Sequence, residues 1–523
     1  MELPDISLLY NYKGAAHPIN LDVDKASKFK SAEPDVLSLV DICCSKIVMD
    51  ATTTEQAIHS VPTELWYSLM RAAVHNARDR AIEVLISHWP WDILSLHKFA
   101  PCLFDQIKVL YCDSYLNERI RKGIKYTTCL AHIFVESLKK RSPTKLKTLD
   151  LSGYPTAEVI VNYMSSHVLL VYNEIRQKEI ISAYNAVTQH LPADQRKQFQ
   201  VDSTLPDETY VVTMDAFLQT TDTHMELCKA LRMSHKPQCH FKLCLNKLDI
   251  MCLGLPRTAV LLEEIDPDYL TALCLQFNGL CNDALSILVP SIQRLKQLRA
   301  LDISCNSINL GPDGSEEQAT QYMVTMLSSL PNLRRLDLSN NRTKSKLSRL
   351  LSGLPKQLEY LKLCGCGLSE SDLRYLKDSH HANSLRELDI SGNNLSRLFP
   401  QVLSLLTALQ NTLCILEMEE CELDNQCMDE FFQSIAQFSC LQFLNLSRNK
   451  QLTSGVIDSA LTSLVQLSRL QAVRLSYPVE CFSFGSLEDH EDDLMEYAQS
   501  IRNRVEQLCN KLGRPGLKIL FIA

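Results

Sequence analysis

Apolar positions fall into their most regular order at residues 385–395, Leu-Arg-Glu-Leu-Asp-Ile-Ser-Gly-Asn-Asn-Leu, with apolar residues at 385, 388, 390 and 395 and Asn at 393. The Leu-x-Ile alternation at its centre predicts a short strand whose apolar side chains share one face. Asn393 can turn the chain while its amide bonds the backbone of a neighbouring copy. A unit this small cannot bury its own apolar face, so it predicts neighbours of the same kind. Equivalent leucines stand at Leu270, Leu298, Leu333, Leu358, Leu385, Leu413 and Leu441, with a weaker copy at Leu470, at intervals of 28, 35, 25, 27, 28, 28 and 29 residues.

Intervals near 28 residues leave room for a full helix after each strand, as in the ribonuclease-inhibitor type of leucine-rich repeat. The longest interval contains Gly311-Pro-Asp-Gly-Ser-Glu-Glu317, a polar loop insertion. The turn position reads Asn278, Asn306, Asn341, Cys366, Asn393, Cys421 and Asn449, and either residue type can reach a backbone group there.

Before the repeats the period is helical. Leu39, Cys43 and Ile47 recur every fourth residue, Pro62 precedes Leu65, Leu69, Ala72 and Ala73, and a third helix is predicted from Arg78 to His88, ending before Trp89-Pro-Trp91. Leu146 to Leu151 reads as a first repeat-like strand with Tyr154 where Asn is expected. Strands at Tyr210 to Met214 and Phe241 to Leu245 and a helix after Thr223 are predicted within an otherwise irregular stretch. After Pro478 the repeats are expected to stop, and an acidic run from Glu488 to Asp493 leads into a helix reaching Lys511 that caps the open end of the array. The predicted fold is therefore α/β: a leucine-rich repeat horseshoe solenoid with an N-terminal helical domain and a C-terminal capping helix. Residues 1–33 are expected to lack order, 34–140 to form the helical domain, 141–260 degenerate repeats with inserted helices, 261–477 the regular repeats and 478–523 the cap.

Composition agrees with this picture. A length of 523 residues exceeds one ordinary core and suits a solenoid, and 46% hydrophobic with 22% charged residues excludes wholesale disorder. A net charge of −8 gives no support to a broad nucleic-acid-binding surface. The start lacks the basic and apolar regions of a secretory signal and no run is long enough to span a membrane, which predicts a cytoplasmic protein, with the nucleus as a second compartment. The 20 Cys are scattered with no C-x-x-C, so they are expected to pack as small hydrophobes and hold no metal.

Three stretches are candidates for function. Ser38, Leu39, Cys43 and Ile47 fit the elongin BC-box pattern, in which one helix offers a Leu to an apolar pocket and a small Cys lets the partner approach; the competing reading is an ordinary amphipathic helix packed internally. Val61, Pro62, Leu65 and Leu69 fit the cullin-2 box that follows a BC box, against the plain reading of a Pro-started helix. Finally, the residues flanking the strand leucines, Asp302, Asp337, Lys362, Glu387, Asp389, Glu417, Glu419, Asn445 and Arg474, are expected to form an exposed, mainly acidic concave face that would attract a basic target protein, or else to be solvated repeat filling. His380-His381 is expected to be a solvated pair. No nucleotide-binding, nucleophile-elbow or metalloprotease motif occurs, so no catalytic residue, cofactor or enzyme activity is expected.

Val61-Pro-Thr-Glu-Leu-Trp-Tyr-Ser-Leu-Met-Arg-Ala-Ala, Leu85-Ile-Ser-His-Trp-Pro-Trp91, Leu413-Cys-Ile-Leu-Glu-Met-Glu-Glu-Cys421, Tyr477-Pro-Val-Glu-Cys481 and Leu512-Gly-Arg-Pro515 together resemble the PRAME family. The resemblance runs from Val61 to Leu520. It implies a non-catalytic substrate-recognition subunit of a cullin-2 RING ubiquitin ligase, joined through elongins B and C, with Leu39, Cys43 and Ile47 as elongin contacts and Val61, Pro62, Leu65 and Leu69 as cullin-2 contacts. The alternative it implies is a ligase-independent scaffold that represses signalling, for example through NF-kappa-B, or transcription by binding a partner protein.

Overall fold

The computed structural model describes residues 38–100, 110, 112–139, 144–188, 208–311, 316–449, 452–482, 491–513 and 516–522. The expectation for residues 1–33, most of the insertion after Gly311 and the start of the acidic run lie outside the described residues. The chain divides into two compact units: Met1–Asp105 with Ser114–Leu253 and Val260–Leu270, and Gln106–Asp113 with Gly254–Ala259 and Thr271–Ala523.

The first unit opens with α1 (Leu39–Ile47), α2 (Ala51–Ile58), α3 (Trp66–His75) and α4 (Asp79–Ser87). Ser38 and Asp41 form a reciprocal capping box at the start of α1. The Thr-rich α2 was not legible from periodicity; Asp50 nucleates it by accepting from the Thr53 N–H at 2.9 Å. Beyond Trp91 the expected all-helical domain contains a strand, β1 (Ile93–Ser95), before α5 (Leu96–Phe99) and α6 (Asp113–Lys139). Parallel pairing with β2 (Thr148–Asp150) sets Leu94 opposite Leu149 and buries both, a gain that three residues of local sequence do not announce. There follow α7 (Glu158–Thr188), β3 (Tyr210–Leu218), α8 (Thr221–Ser234) and β4 (Phe241–Ile250), with β1 to β4 pairing in chain order, all parallel.

After α9 (Leu255–Glu264), the second unit carries the regular repeats: β5 (Ala272–Cys274), α10 (Asn282–Gln293), β6 (Ala300–Asp302), α11 (Glu316–Ser328), β7 (Arg335–Asp337), α12 (Leu347–Leu351), β8 (Tyr360–Lys362), α13 (Glu370–Asp378), β9 (Glu387–Asp389), α14 (Phe399–Leu409), β10 (Ile415–Glu417), α15 (Asn425–Ser434), β11 (Phe443–Leu446), α16 (Ser454–Gln466), β12 (Ala472–Ser476), α17 (Glu491–Lys511) and β13 (Lys518–Ile522). Strands β5 to β13 pair in order, all parallel. This is an α/β leucine-rich repeat solenoid. The array does not stop at Pro478 as expected. Helix α17 returns the chain to β13, whose Ile519 pairs with Val473, so the terminal segment closes one more repeat-like turn instead of ending as a bare cap.

The leucines that opened each sequence repeat are buried, Leu270 in the first unit and Leu298, Leu333, Leu358, Leu385, Leu413, Leu441 and Leu470 in a column through the second. Beside it runs the turn ladder. The Asn306 amide donates to the carbonyls of Leu275 and Ile303 at 2.9 Å, while its carbonyl oxygen accepts from the N–H groups of Asn278 and Leu280 at 3.1 Å. Asn393 repeats this with Leu363, Ile390, Gly367 and Leu368. Cys366 and Cys421 reproduce only the donor half, their thiols reaching the carbonyls of Leu338 at 3.3 Å and Ile390 at 3.4 Å. The buried ladder thus satisfies backbone groups that repeat turns would otherwise orphan.

Candidate protein-interaction surfaces

Helix α1 separates its residues cleanly. Cys44 and Val48 are buried, whereas Ser38, Leu39, Val40, Ile42 and Cys43 are exposed and Ile47 is half-buried. Leu39 retains 75% of its surface. Of the BC-box pattern, Ser38, Leu39 and Cys43 are therefore turned outward, Ile47 sits at the margin, and Cys44 and Val48 mark the internally packed side. An Asp41–Arg71 ion pair ties the helix to α3.

In the second candidate, Pro62 is exposed and caps a 3₁₀ turn over Thr63–Leu65, and Val61 and Leu65 are half-buried. Leu69 has no exposed surface. It lies on the inner face of α3 with Met70, Ala73 and Val74, so its place in the pattern is explained by packing, and the accessible part of this candidate is Val61, Pro62 and Leu65.

The concave residues are brought together by register. Across β5 to β12, Cys274, Asp302, Asp337, Lys362, Asp389, Glu417, Asn445 and Arg474 stand side by side in one row. A second row two residues earlier reads Ala272, Ala300, Arg335, Tyr360, Glu387, Ile415, Phe443 and Ala472, on the same side of the sheet. The expectation of an exposed acidic face is corrected here: Asp302, Asp337, Lys362, Glu387, Asp389, Glu417 and Asn445 are each at most 6% exposed. Glu419 and Arg474 keep partial exposure.

Charges so buried require internal partners. The Lys362 Nζ is 2.9 Å from Glu387 Oε1, and Arg335 Nη2 is 3.7 Å from Glu387 Oε2, with the Arg335 guanidinium 3.6 Å from the Tyr360 ring centre. Burial raises the Glu387 carboxyl, but the two cations outweigh it and hold it below its ordinary value. Burial lowers the Lys362 ammonium, and Glu387 with the surrounding acids more than restores it. Among the described residues of these two rows, the buried groups include five carboxyls, of Asp302, Asp337, Glu387, Asp389 and Glu417, and two cations, Lys362 and Arg335. Burial and mutual repulsion push three of these carboxyls toward their neutral form. Burial raises Asp302; burial and then Asp302 push Asp337 up to about 8; burial and then Asp389 push Glu417 up to about 7. Hydrogen bonds fix the geometry: Gln276 donates to Asp302 at 2.6 Å, and Asn445 donates to Glu417 at 3.3 Å and to Glu419 at 3.0 Å. Arg335, Tyr360 and Gln276 escaped the sequence reading, although the two-residue alternation of each strand would have identified the first two.

His381 also departs from expectation. It is fully buried, accepting from the Leu358 N–H at Nδ1 (3.1 Å) and facing the Leu351 carbonyl with Nε2 (3.2 Å). Burial drives its pKa down to about 4, so it is a neutral structural bridge between repeats. Among the described residues no cluster of three metal-ligating side chains occurs, and no helix is long and apolar enough to cross a membrane.

Residues 211–521 match the PRAME C-terminal domain. Leucine-rich repeat-containing protein 14 of Xenopus laevis is 28% identical over 462 residues, covering 85% of this chain and 88% of that protein. Its Homo sapiens counterpart is 24% identical over 452 residues with the same coverage, and Oogenesin-2 of Mus musculus is 21% identical over 479 residues, covering 91% and 89%. With the family domain spanning most of the chain over the β3 to β13 repeats, the chain belongs to the PRAME family.

Proposed function

We propose that this protein is a non-catalytic substrate-recognition subunit of a cullin-2 RING ubiquitin ligase, joined through elongins B and C, that holds target proteins on its repeats. Family and repeat fold support a protein-interaction scaffold. The finer assignment rests on one observation: α1 exposes Leu39 and Cys43 while burying Cys44 and Val48 on its other side. An exposed Leu beside a small Cys on a capped, anchored helix is what a partner with an apolar pocket can take up. Val61, Pro62 and Leu65 supply an accessible second contact for cullin-2. The protein acts in the cytoplasm, and in the nucleus as a second compartment.

Purified full-length chain mixed with elongin B–elongin C tests this directly. Wild type is expected to co-elute with the elongins, and Leu39→Ala with Cys43→Ala to abolish co-elution without lowering the unfolding temperature. Co-elution unaffected by the double substitution removes the ligase reading. In that event the ligase-independent scaffold, which needs only the repeats, is the reading that stands.

A further inference from the structure

The two ends of α1 are held differently. At its C-terminal end Val48 has no exposed surface, the Thr54 hydroxyl donates to the Ile47 carbonyl at 3.1 Å, and the Arg78 guanidinium donates to the Met49 sulfur at 3.1 Å. At the N-terminal end, which carries Leu39, none of the residues from Ser38 to Cys43 is buried. Among the described residues one hydrogen-bonded contact joins this end to another helix, the ion pair between Asp41 and Arg71 of α3.

Asp41 divides its carboxylate between two tasks. Oδ2 accepts from the Ser38 hydroxyl at 2.7 Å and from the Ser38 N–H at 3.2 Å, which closes the helix start. Oδ1 takes the Arg71 guanidinium. The bond from the Ser38 hydroxyl, and after it Arg71, hold this carboxyl below its ordinary value against burial. Ser38 is therefore engaged within the chain, its oxygen also accepting from the Asp41 N–H at 3.1 Å, although the BC-box pattern suggests a partner contact for it. Helix α3 in turn begins at Trp66, directly after Val61, Pro62 and Leu65, so the ion pair joins the helix of one candidate surface to the helix of the other.

We propose that Asp41 is the positioning residue of the docking helix: through Arg71 it fixes the first turn of α1 on α3 and so sets Leu39 and Cys43 at the angle a partner's apolar pocket takes up. The identity of that partner rests on the elongin reading, whereas the latch itself does not. The Asp41 and Arg71 side chains keep 27% and 45% of their surface, so salt screens their attraction. Packing of Cys44 and Val48 has no such dependence. Ionic strength thus separates the latch from the apolar anchorage of the same helix.

Amide exchange across Leu39–Ile47 in the free full-length chain tests the latch with no ligase component present, so its failure and that of the elongin assignment are separate results. Arg71 is exposed on α3, and Arg71→Glu sets two carboxylates together without opening the core. This variant is expected to speed the exchange about five- to tenfold at low ionic strength, the scale of one ion pair lost and one repulsion gained. In about 1 M salt the difference from wild type should shrink to less than about twofold. Adding Asp41→Asn removes the repulsion and should recover at least half of the lost protection. Elongin B–C affinity should follow the same order, weakened by Arg71→Glu and recovered by the added Asp41→Asn. Exchange unchanged by Arg71→Glu, or a salt-independent increase, overturns the latch. Faster exchange with unchanged affinity overturns the positioning role. So does an affinity loss that Asp41→Asn does not recover, because Arg71 would then touch the partner itself.

Discussion

Helix α1 and the concave rows invert the usual rule of burial in opposite senses. The helix leaves Leu39, Val40 and Ile42 in water, while the rows take Asp302, Asp337, Lys362, Glu387 and Glu417 out of it. The two inversions have different physical standing. Among the described residues the apolar groups of Leu39, Val40 and Ile42 on α1 stay exposed. Buried charges in the rows have internal partners, Lys362 and Arg335 on Glu387, and burial pushes the Asp302, Asp337 and Glu417 carboxyls toward their neutral form. Under the proposed function the first is the surface a partner would take up. The second is part of the stability of the solenoid, and charge alone does not make it a binding face.

The strongest way to break this contrast is Lys362→Met. If the rows are internally compensated, removing Lys362 strands Glu387 with only the more distant Arg335, and stability should fall by about 3–5 kcal/mol in urea unfolding. A change within about 0.5 kcal/mol would mean the row is open to water after all. Next in size is Leu69→Ala, expected to cost about 2–5 kcal/mol because it empties a fully enclosed site between helices. Loss of a cullin-2 contact from that substitution is thus inseparable from unfolding. Pro62→Ala and Leu65→Ala are the informative variants there.

The pH dependence of stability sharpens the contrast further, because two sets of groups pull in opposite directions. Asp337 and Glu417 have folded values raised to about 8 and about 7, so the stability tied to their protons is complete below the ordinary carboxylate range and is lost as pH rises through those values. His381, lowered to about 4, stabilises above its ordinary value of 6.5, and that contribution is lost as pH falls from there toward 4. Unfolding midpoints between pH 5 and pH 9 should therefore show Asp337→Asn flattening the alkaline side and His381→Gln flattening the acid side. An alkaline limb unchanged by Asp337→Asn would show that Asp337 holds no extra proton at neutral pH.

The repeats were legible because their signal is redundant. Each strand is marked by a buried leucine, an alternation and a turn residue, and Cys366 and Cys421 could be read as ladder positions because a thiol can donate where an amide does. A four-residue period put Leu39, Cys43 and Ile47 on one face of α1, but the period suits an internally packed face equally and did not say which way it turns. What escaped depends on distant partners. Strand β1 exists because β2 pairs with it, and β13 because α17 returns the chain beside β12. Leu69 fits a motif and a core equally well in one dimension. The burial of Glu387 follows from Arg335 and Lys362 converging from neighbouring repeats, a coincidence in space that a row of acids along the sequence does not encode.

The smallest expected stability effect is the one most diagnostic of the comparison. Leu39→Ala removes a side chain that is 75% exposed and leaves the capping box of Ser38 and Asp41 and the buried Cys44 and Val48 untouched. Alanine is also the better helix former. The free protein should therefore change by no more than about 0.5 kcal/mol in either direction. If the unfolding midpoint instead falls by what a core leucine costs, α1 is packed on both sides and is no free docking helix. If stability is unchanged while association with elongin C is lost, the leucine is kept exposed for its partner, which is the sense in which α1 and the concave rows differ.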